Sequence, residues 1–188
     1  MAVLKVLTFP NPILARQALP VTVFDAELRS LASDMLDTMY EEFGIGLAAP
    51  QVGHLRRIIV VDVPLESPAN EGDDSAENEI SEVEEEQIIR HPQVFINPEI
   101  IDQGGEIITE EGCLSVTDYT AEVKRAEWIE LSYQTVEGVP DRVVLEGLEA
   151  VCVQHEIDHL EGILFIDRLP PLKRQMVKKK LSKIARSA

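Results

Sequence analysis

No stretch of this 188-residue chain approaches the ~20 consecutive apolar residues of a membrane-spanning helix, and its N-terminus lacks the charged-then-apolar pattern of an export signal. A cytoplasmic protein is the expectation. Cysteine is scarce too. Cys113 and Cys152 are too few for a disulfide framework, so each is a core residue, a metal ligand or a nucleophile. Positive charge is the third shortage, with 17 Lys and Arg against 34 Asp and Glu. So acidic a body argues against wrapping duplex DNA. No internal repeat is apparent.

The rest of the composition is that of a globular protein, at a length that suits one domain over 1–188 with a real core. The few basic residues are unevenly spread. Eight lie from Arg168 onward (168, 173, 174, 178, 179, 180, 183, 186) with no acid among them, so the remainder carries 9 − 34 = −25.

In chain order, residues 1–20 hold Pro10, Pro12 and Pro20 and read as an extended arm with turns. Asp25 is a plausible N-cap for a helix to about Phe43, with Leu28, Leu31, Met35 and Met39 on one stripe and Gly44 as its stop. Residues 44–53, with three glycines and two alanines, read as a tight packing loop or a close approach to a ligand. No Gly-Lys-Ser/Thr follows, so this is not a phosphate loop. Residues 57–63 read as a strand. Residues 66–86 carry ten acids and no base, an acidic loop insertion to which no function is assigned. Short strands are expected at 94–97, 100–102, 106–109, 121–124, 128–133 and 142–145, the second and third joined by a Gly104-Gly105 hairpin. Cys113 falls in a polar loop. After Pro170, Leu172, Met176, Leu181 and Ile184 recur at loose helical spacing, giving a basic C-terminal helix at 170–188. The expected class is α+β: mixed or antiparallel strands packed around a central helix, with an N-terminal and a C-terminal helix.

That central helix, with Glu146 and Glu149 near its N-terminus, apolar residues at 148, 151, 153, 157 and 160, and Gly162 as its stop, carries the chemistry in its stretch 151–162. His155, Glu156 and His159 form an H-E-x-x-H pattern. Positions i and i+4 stand one turn apart on one helix face, so the two imidazoles can hold one divalent metal while Glu156 handles protons. A third ligand must come from elsewhere, since residues 160–168 offer no histidine. Cys113 and Cys152 both qualify. The Val-Cys-Val setting of Cys152 favours core packing, whereas Cys113 can approach from opposite the helix.

Taken together and in this order, segments 44–51, 111–115 and 154–162 resemble the three signature motifs of the peptide deformylases, and the likeness extends over essentially the whole chain. The resemblance implies an enzyme that removes the N-formyl group from N-terminal formyl-methionine of nascent polypeptides, releasing formate. It implies Cys113, His155 and His159 as metal ligands and Glu156 as general acid and base. Gln51, through its side-chain amide, and Leu114, through its backbone N–H, would stabilise the oxyanion. Gly46 would meet the substrate backbone, with Ile45, Leu148, Val151 and Cys152 near the methionine pocket. The implied cofactor is one divalent ion, natively Fe(II), with zinc or nickel as substitutes. In relatives a C-terminal helix docks on ribosomal RNA near the peptide exit, so nascent formyl peptides and the ribosome are the expected partners, with neither membrane nor DNA.

Two positions depart from the family's pattern. Thr117 stands where many members carry Pro and Thr120 where some carry Arg; in relatives that Arg lies near the substrate's far end, so its absence touches affinity beyond the methionine rather than the chemistry. The rival readings are another metallohydrolase, such as a peptidase, and a non-catalytic metal-containing ribosome-binding module of the same fold. Intact Glu156 and Gln51 speak against the module, which needs neither.

Overall fold

The computed structural model describes residues 2–64 and 90–186. The acidic segment 66–86 lies outside them, as do the last two residues of the expected terminal helix. Three helices, α1 (Ala26–Glu41), α2 (Gly147–Leu160) and α3 (Pro171–Ala185), accompany seven strands. The strands are β1 (Gly46–Ala48), β2 (Ile58–Val61), β3 (Gln93–Gly104), β4 (Ile107–Cys113), β5 (Val116–Arg125), β6 (Trp128–Gln134) and β7 (Pro140–Glu146). One sheet runs β1-β2-β3-β6-β7 and a second pairs β4 with β5. Every strand pair is antiparallel. The α+β expectation holds.

β2 explains how the layers stack. Its residues Ile58, Ile59, Val60 and Val61 are all buried, and strand geometry sends alternate side chains to opposite faces. Ile58 and Val60 pack with Leu28, Leu31, Met35 and Met39 of α1, while Ile59 and Val61 pack with Ala150, Val153 and Leu160 of α2. The five-stranded sheet is therefore held between two helices. Each α1 stripe residue is at most 7% exposed, and such burial stabilises by ~1.5–3 kcal/mol per side chain. A third cluster joins Val116, Ala121 and Val123 of β5 to Phe165, Leu169 and the α3 residues Val177 and Leu181.

Several sequence expectations need correcting. The two strands placed at 94–97 and 100–102 are one, β3, which bends through irregular register between Ile96 and Glu99. Pro98 has no N–H for the ladder, and Asn97 adopts φ 51° there. Gly104-Gly105 is not a hairpin: β3 pairs with β2 and β6, and the chain crosses at this point into the second sheet. Cys113 ends β4 rather than lying in a loop. The 44–53 segment forms β1 and a 3-10 turn, Ala49–Val52. On α3, the expected stripe splits: Leu181 is buried with Val177, whereas Leu172, Met176 and Ile184 are exposed.

Asp62, just past β2, accepts hydrogen bonds from the Tyr40 hydroxyl at 2.7 Å and the His91 N–H at 2.9 Å. Arg90 stacks 4.5 Å from the Tyr40 ring centroid and pairs with Asp62 at 3.6 Å. Burial, followed by the Asp62 hydrogen bond and charge, pushes the Tyr40 phenol up to about 12. The chain on either side of residues 65–89 is thus tied to one carboxylate.

The Asn97 amide closes the β3 bend. It donates to Val21 O and Gln134 Oε1 and accepts from Val21 N–H, at 2.7–2.8 Å. Asn97→Ala should therefore lower stability by about 1–3 kcal/mol, since it strands part-buried backbone groups of the N-terminal arm. In urea the midpoint should fall with an unchanged slope; a midpoint matching wild type would rule this brace out.

Candidate metal and active site

The site is assembled around α2, on which His155, Glu156, Asp158 and His159 are all buried. Helices rarely carry four such residues inward, so each polar group needs a partner from another element. β4 supplies Glu111 and Cys113 from the opposite side. The Leu114-Ser115 turn reverses the chain there, pairing Cys113 with Val116.

Cys113 Sγ lies 3.2 Å from His159 Nε2, and one ligand atom each from Cys113, His155 and His159 fall within 4.8 Å of one another. Cys152 stays out of this cluster. Its thiol reaches the Ile45 carbonyl at 3.5 Å, and burial keeps its pKa well above the ordinary range, as suits a core group.

The donor set fits a divalent transition metal: one soft sulfur and two imidazoles, gathered in a site of limited access. His159 is buried, and that burial, with the His155 and Arg125 charges, holds its pKa well below normal, so it presents a neutral imidazole. His155 is different. Burial alone would lower it, but hydrogen bonds to Cys113 and Glu111 and the charge of Glu156 raise it to about 10. Surroundings that draw a proton onto His155 draw a divalent cation for the same electrostatic reason. Its Nδ1 is bonded to Glu111 Oε2 at 2.9 Å, which fixes the ring and leaves Nε2 for the cluster.

Glu111 is anchored in turn. Arg125 gives it two hydrogen bonds, at 2.7 and 2.8 Å, and a third to Asp158 at 2.6 Å. Arg168 bonds Asp158 from the outer side. Burial would raise the Glu111 pKa, but the Arg125 and His155 interactions hold it at about 2. The sequence pattern alone assigns no part in the site to Glu111, Arg125, Asp158 or Arg168. Asp158 sits three residues after His155 and was the one legible signal.

Glu156 has the opposite character. Its Oε2 is buried and has no hydrogen-bond partner among the described residues. Burial, only partly opposed by the His155 and Arg125 charges, raises its pKa to about 7. Gln51 is 1% exposed and oriented: its Oε1 accepts the Ala48 N–H at 2.7 Å, so its Nε2 faces Ser115 Oγ at 3.2 Å and Cys113 Sγ at 3.6 Å. Gly46 is required by packing, because a β-carbon there would lie 2.6 Å from Glu156 Oε1 and 2.7 Å from Cys152 Sγ.

A cavity of about 590 Å³ opens onto this cluster, between the residues that follow α1 and the β4–β5 hairpin. Ile45, Leu148, Val151 and Cys152 line it together with Cys113, Leu114, His155, Glu156 and Gln51. Of the residues singled out from sequence, only His159 lies behind its wall.

The polypeptide deformylase family profile matches residues 3–175. Peptide deformylase 1 of Shewanella oneidensis is 45% identical over 186 residues, covering 99% of this chain and 98% of its own. A crystal structure of a peptide deformylase from Legionella pneumophila superimposes with TM-score 0.79 at 40% identity, covering 98% of this chain and 96% of that one. The Met-Ala-Ser-bound class I type b enzyme of Acinetobacter baumannii does so with TM-score 0.74 at 37% identity, covering 89% and 99%.

Removing Arg125 leaves two buried carboxylates without their shared cation. Arg125→Met is expected to destabilise the protein by about 3–5 kcal/mol. Thermal unfolding should show it, and a loss under about 1 kcal/mol would mean that Arg168 and water suffice to neutralise the pair.

Proposed function

Because the chain belongs to the peptide deformylase family, whose members are metal-dependent hydrolases, we propose that it hydrolyses the N-formyl group of N-terminal formyl-methionine on nascent polypeptides, releasing formate. The observation that carries this reading is the Cys113, His155 and His159 cluster with the buried Glu156 carboxyl group beside it, whose Oε2 has no hydrogen-bond partner among the described residues.

Cys113, His155 and His159 would hold one divalent ion, Fe(II) natively, with zinc or nickel able to replace it. When bound, such an ion supplies a Lewis acid that brings the pKa of water from 15.7 towards ~7. Glu156, poised near neutrality by its burial, accepts a proton from the attacking water. As the formyl carbon becomes tetrahedral, its oxygen gains negative charge. The Gln51 Nε2–H and the Leu114 backbone N–H donate to that oxygen, and one such donor is typically worth ~2.7–4 kcal/mol. When the C–N bond breaks, Glu156 passes its proton to the leaving amine, leaving formate and a free methionyl N-terminus.

The substrate's place follows from the edges of the two sheets. β1 is the terminal strand of its sheet and β4 pairs only with β5, so each offers backbone groups to an extended peptide lying between them. Gly46 is on that edge. The methionine side chain then enters the apolar part of the cavity at Ile45, Leu148, Val151 and Cys152. Formyl selectivity is steric: a hydrogen fits where the methyl of an acetyl group clashes.

Action on nascent chains places the protein in the cytoplasm, at the ribosome. α3 supports that partner. Val177 and Leu181 anchor it, leaving Lys173, Lys179 and Lys180 exposed to meet RNA phosphates. Reversing these three lysines to Glu should abolish co-sedimentation with ribosomes while peptide turnover stays at the wild-type rate. Unchanged co-sedimentation would remove α3 from the interaction.

Protein loaded anaerobically with Fe(II) or nickel should release formate from a formyl-Met peptide and leave its acetyl-Met twin intact. Glu156→Ala should keep its metal and lose at least ~100-fold in turnover. Metal-loaded protein that releases no formate would instead favour the non-catalytic ribosome-binding module.

A further inference from the structure

α1 ends in an unusual way. It closes with the two hydrogen bonds of a Schellman motif, Gly44 N–H to Met39 O at 2.8 Å and Phe43 N–H to Tyr40 O at 3.1 Å. The left-handed position of that motif is normally glycine, because a β-carbon there crowds the backbone. Here it is Phe43, at φ 57°, and the glycine expected to stop the helix comes one residue later. The ring gains nothing from the fold in return. Phe43 is 95% exposed, the most exposed large apolar side chain among the described residues. Backbone conformation and solvation both disfavour phenylalanine at this position.

Its location supplies a reason. Phe43 lines the mouth of the active-site cavity, with Leu148, itself 53% exposed, on the same apolar rim. The reacting end of a bound peptide lies deep, at Glu156, so the rest of the chain leaves towards this rim. An extended peptide on the β1 edge alternates its side chains and advances about 3.3 Å per residue. With the first side chain at Ile45, the second points away and the third returns to the same face about 7 Å further out. Phe43 precedes Ile45 by two residues, in the turn that leads into β1.

We propose that Phe43 is a specificity-determining residue that packs against the third side chain of the formyl peptide and selects for a large apolar or aromatic one. The inference rests on the formyl-methionyl reading of the site. Phe43 stands apart from the reacting atoms, so its effect falls on KM rather than kcat.

The test compares formyl-Met-Ala-Phe with formyl-Met-Ala-Ser in metal-loaded wild type, Phe43→Gly and Phe43→Leu. Wild type should favour the Phe peptide by about tenfold in kcat/KM, the scale of partly burying one aromatic side chain. Phe43→Gly should bring that ratio near one, leave the Ser peptide unchanged, and melt at or above the wild-type temperature, since glycine relieves the left-handed position. Phe43→Leu should retain part of the preference. Equal turnover of both peptides by wild type, or a preference that survives Phe43→Gly, overturns this inference alone. Metal-loaded wild type that acts on neither peptide overturns the deformylase reading and this inference with it.

Discussion

The guanidinium of Arg125, 1% exposed between Glu111 and Asp158, is the interaction on which the site's geometry depends. It gathers a β4 carboxylate and an α2 carboxylate onto one cation from β5, joining the small sheet to the central helix. Arg168 adds a second positive charge, so two guanidiniums balance two carboxylates. That balance matters for what remains. With these four charges balanced, the sulfur of Cys113 and the carboxyl group of Glu156 face the imidazoles of His155 and His159. The fold has prepared a place for positive charge next to a closed electrostatic account. Glu111 links the two regions, since one of its oxygens binds both Arg125 and His155.

The same helix shapes the cavity. α2 packs under the five-stranded sheet through Ala150, Val153 and Leu160, while its other side meets Glu111 and Phe165. β1 and β4 each keep one edge unpaired among the described residues. A sheet edge left open is ordinarily a hazard that proteins cover. Here both edges border the same cavity, which residues 44–46 and 109–113 line together.

Much of this was legible in the sequence, and the rest was hidden for physical reasons. The α1 stripe could be read because Leu28, Leu31, Met35 and Met39 keep helical spacing and all point one way. The histidines of α2 could be read because i and i+4 share a face. Arg125 could not: a basic residue at a strand end looks like any solvated one, and only the tertiary fold brings Asp158 and Glu111 to it. Local rules split β3 in two because Asn97-Pro98 is a breaker, yet Asn97 side-chain bonds carry the strand through the bend. The α3 stripe failed because four apolar residues at loose spacing fit more than one face, and contact with β5 and Phe165 chose Val177 and Leu181. Phe43 escaped notice because Gly44 next to it offered the simpler stop.

Asp62 on one side and Arg90 and His91 on the other are held together across residues 65–89. When the ends of a loop are already held together, further residues are added against a logarithmic entropy, so doubling the length costs only about 0.6 kcal/mol. The clamp itself is made by Tyr40, His91 and Arg90, none of which belongs to the segment it closes. Chain inserted between these anchored ends therefore costs little in closure entropy. For protein engineers the same clamp marks a splice port, where a fluorescent reporter or an affinity handle can be inserted with both of its termini leaving from one anchored point.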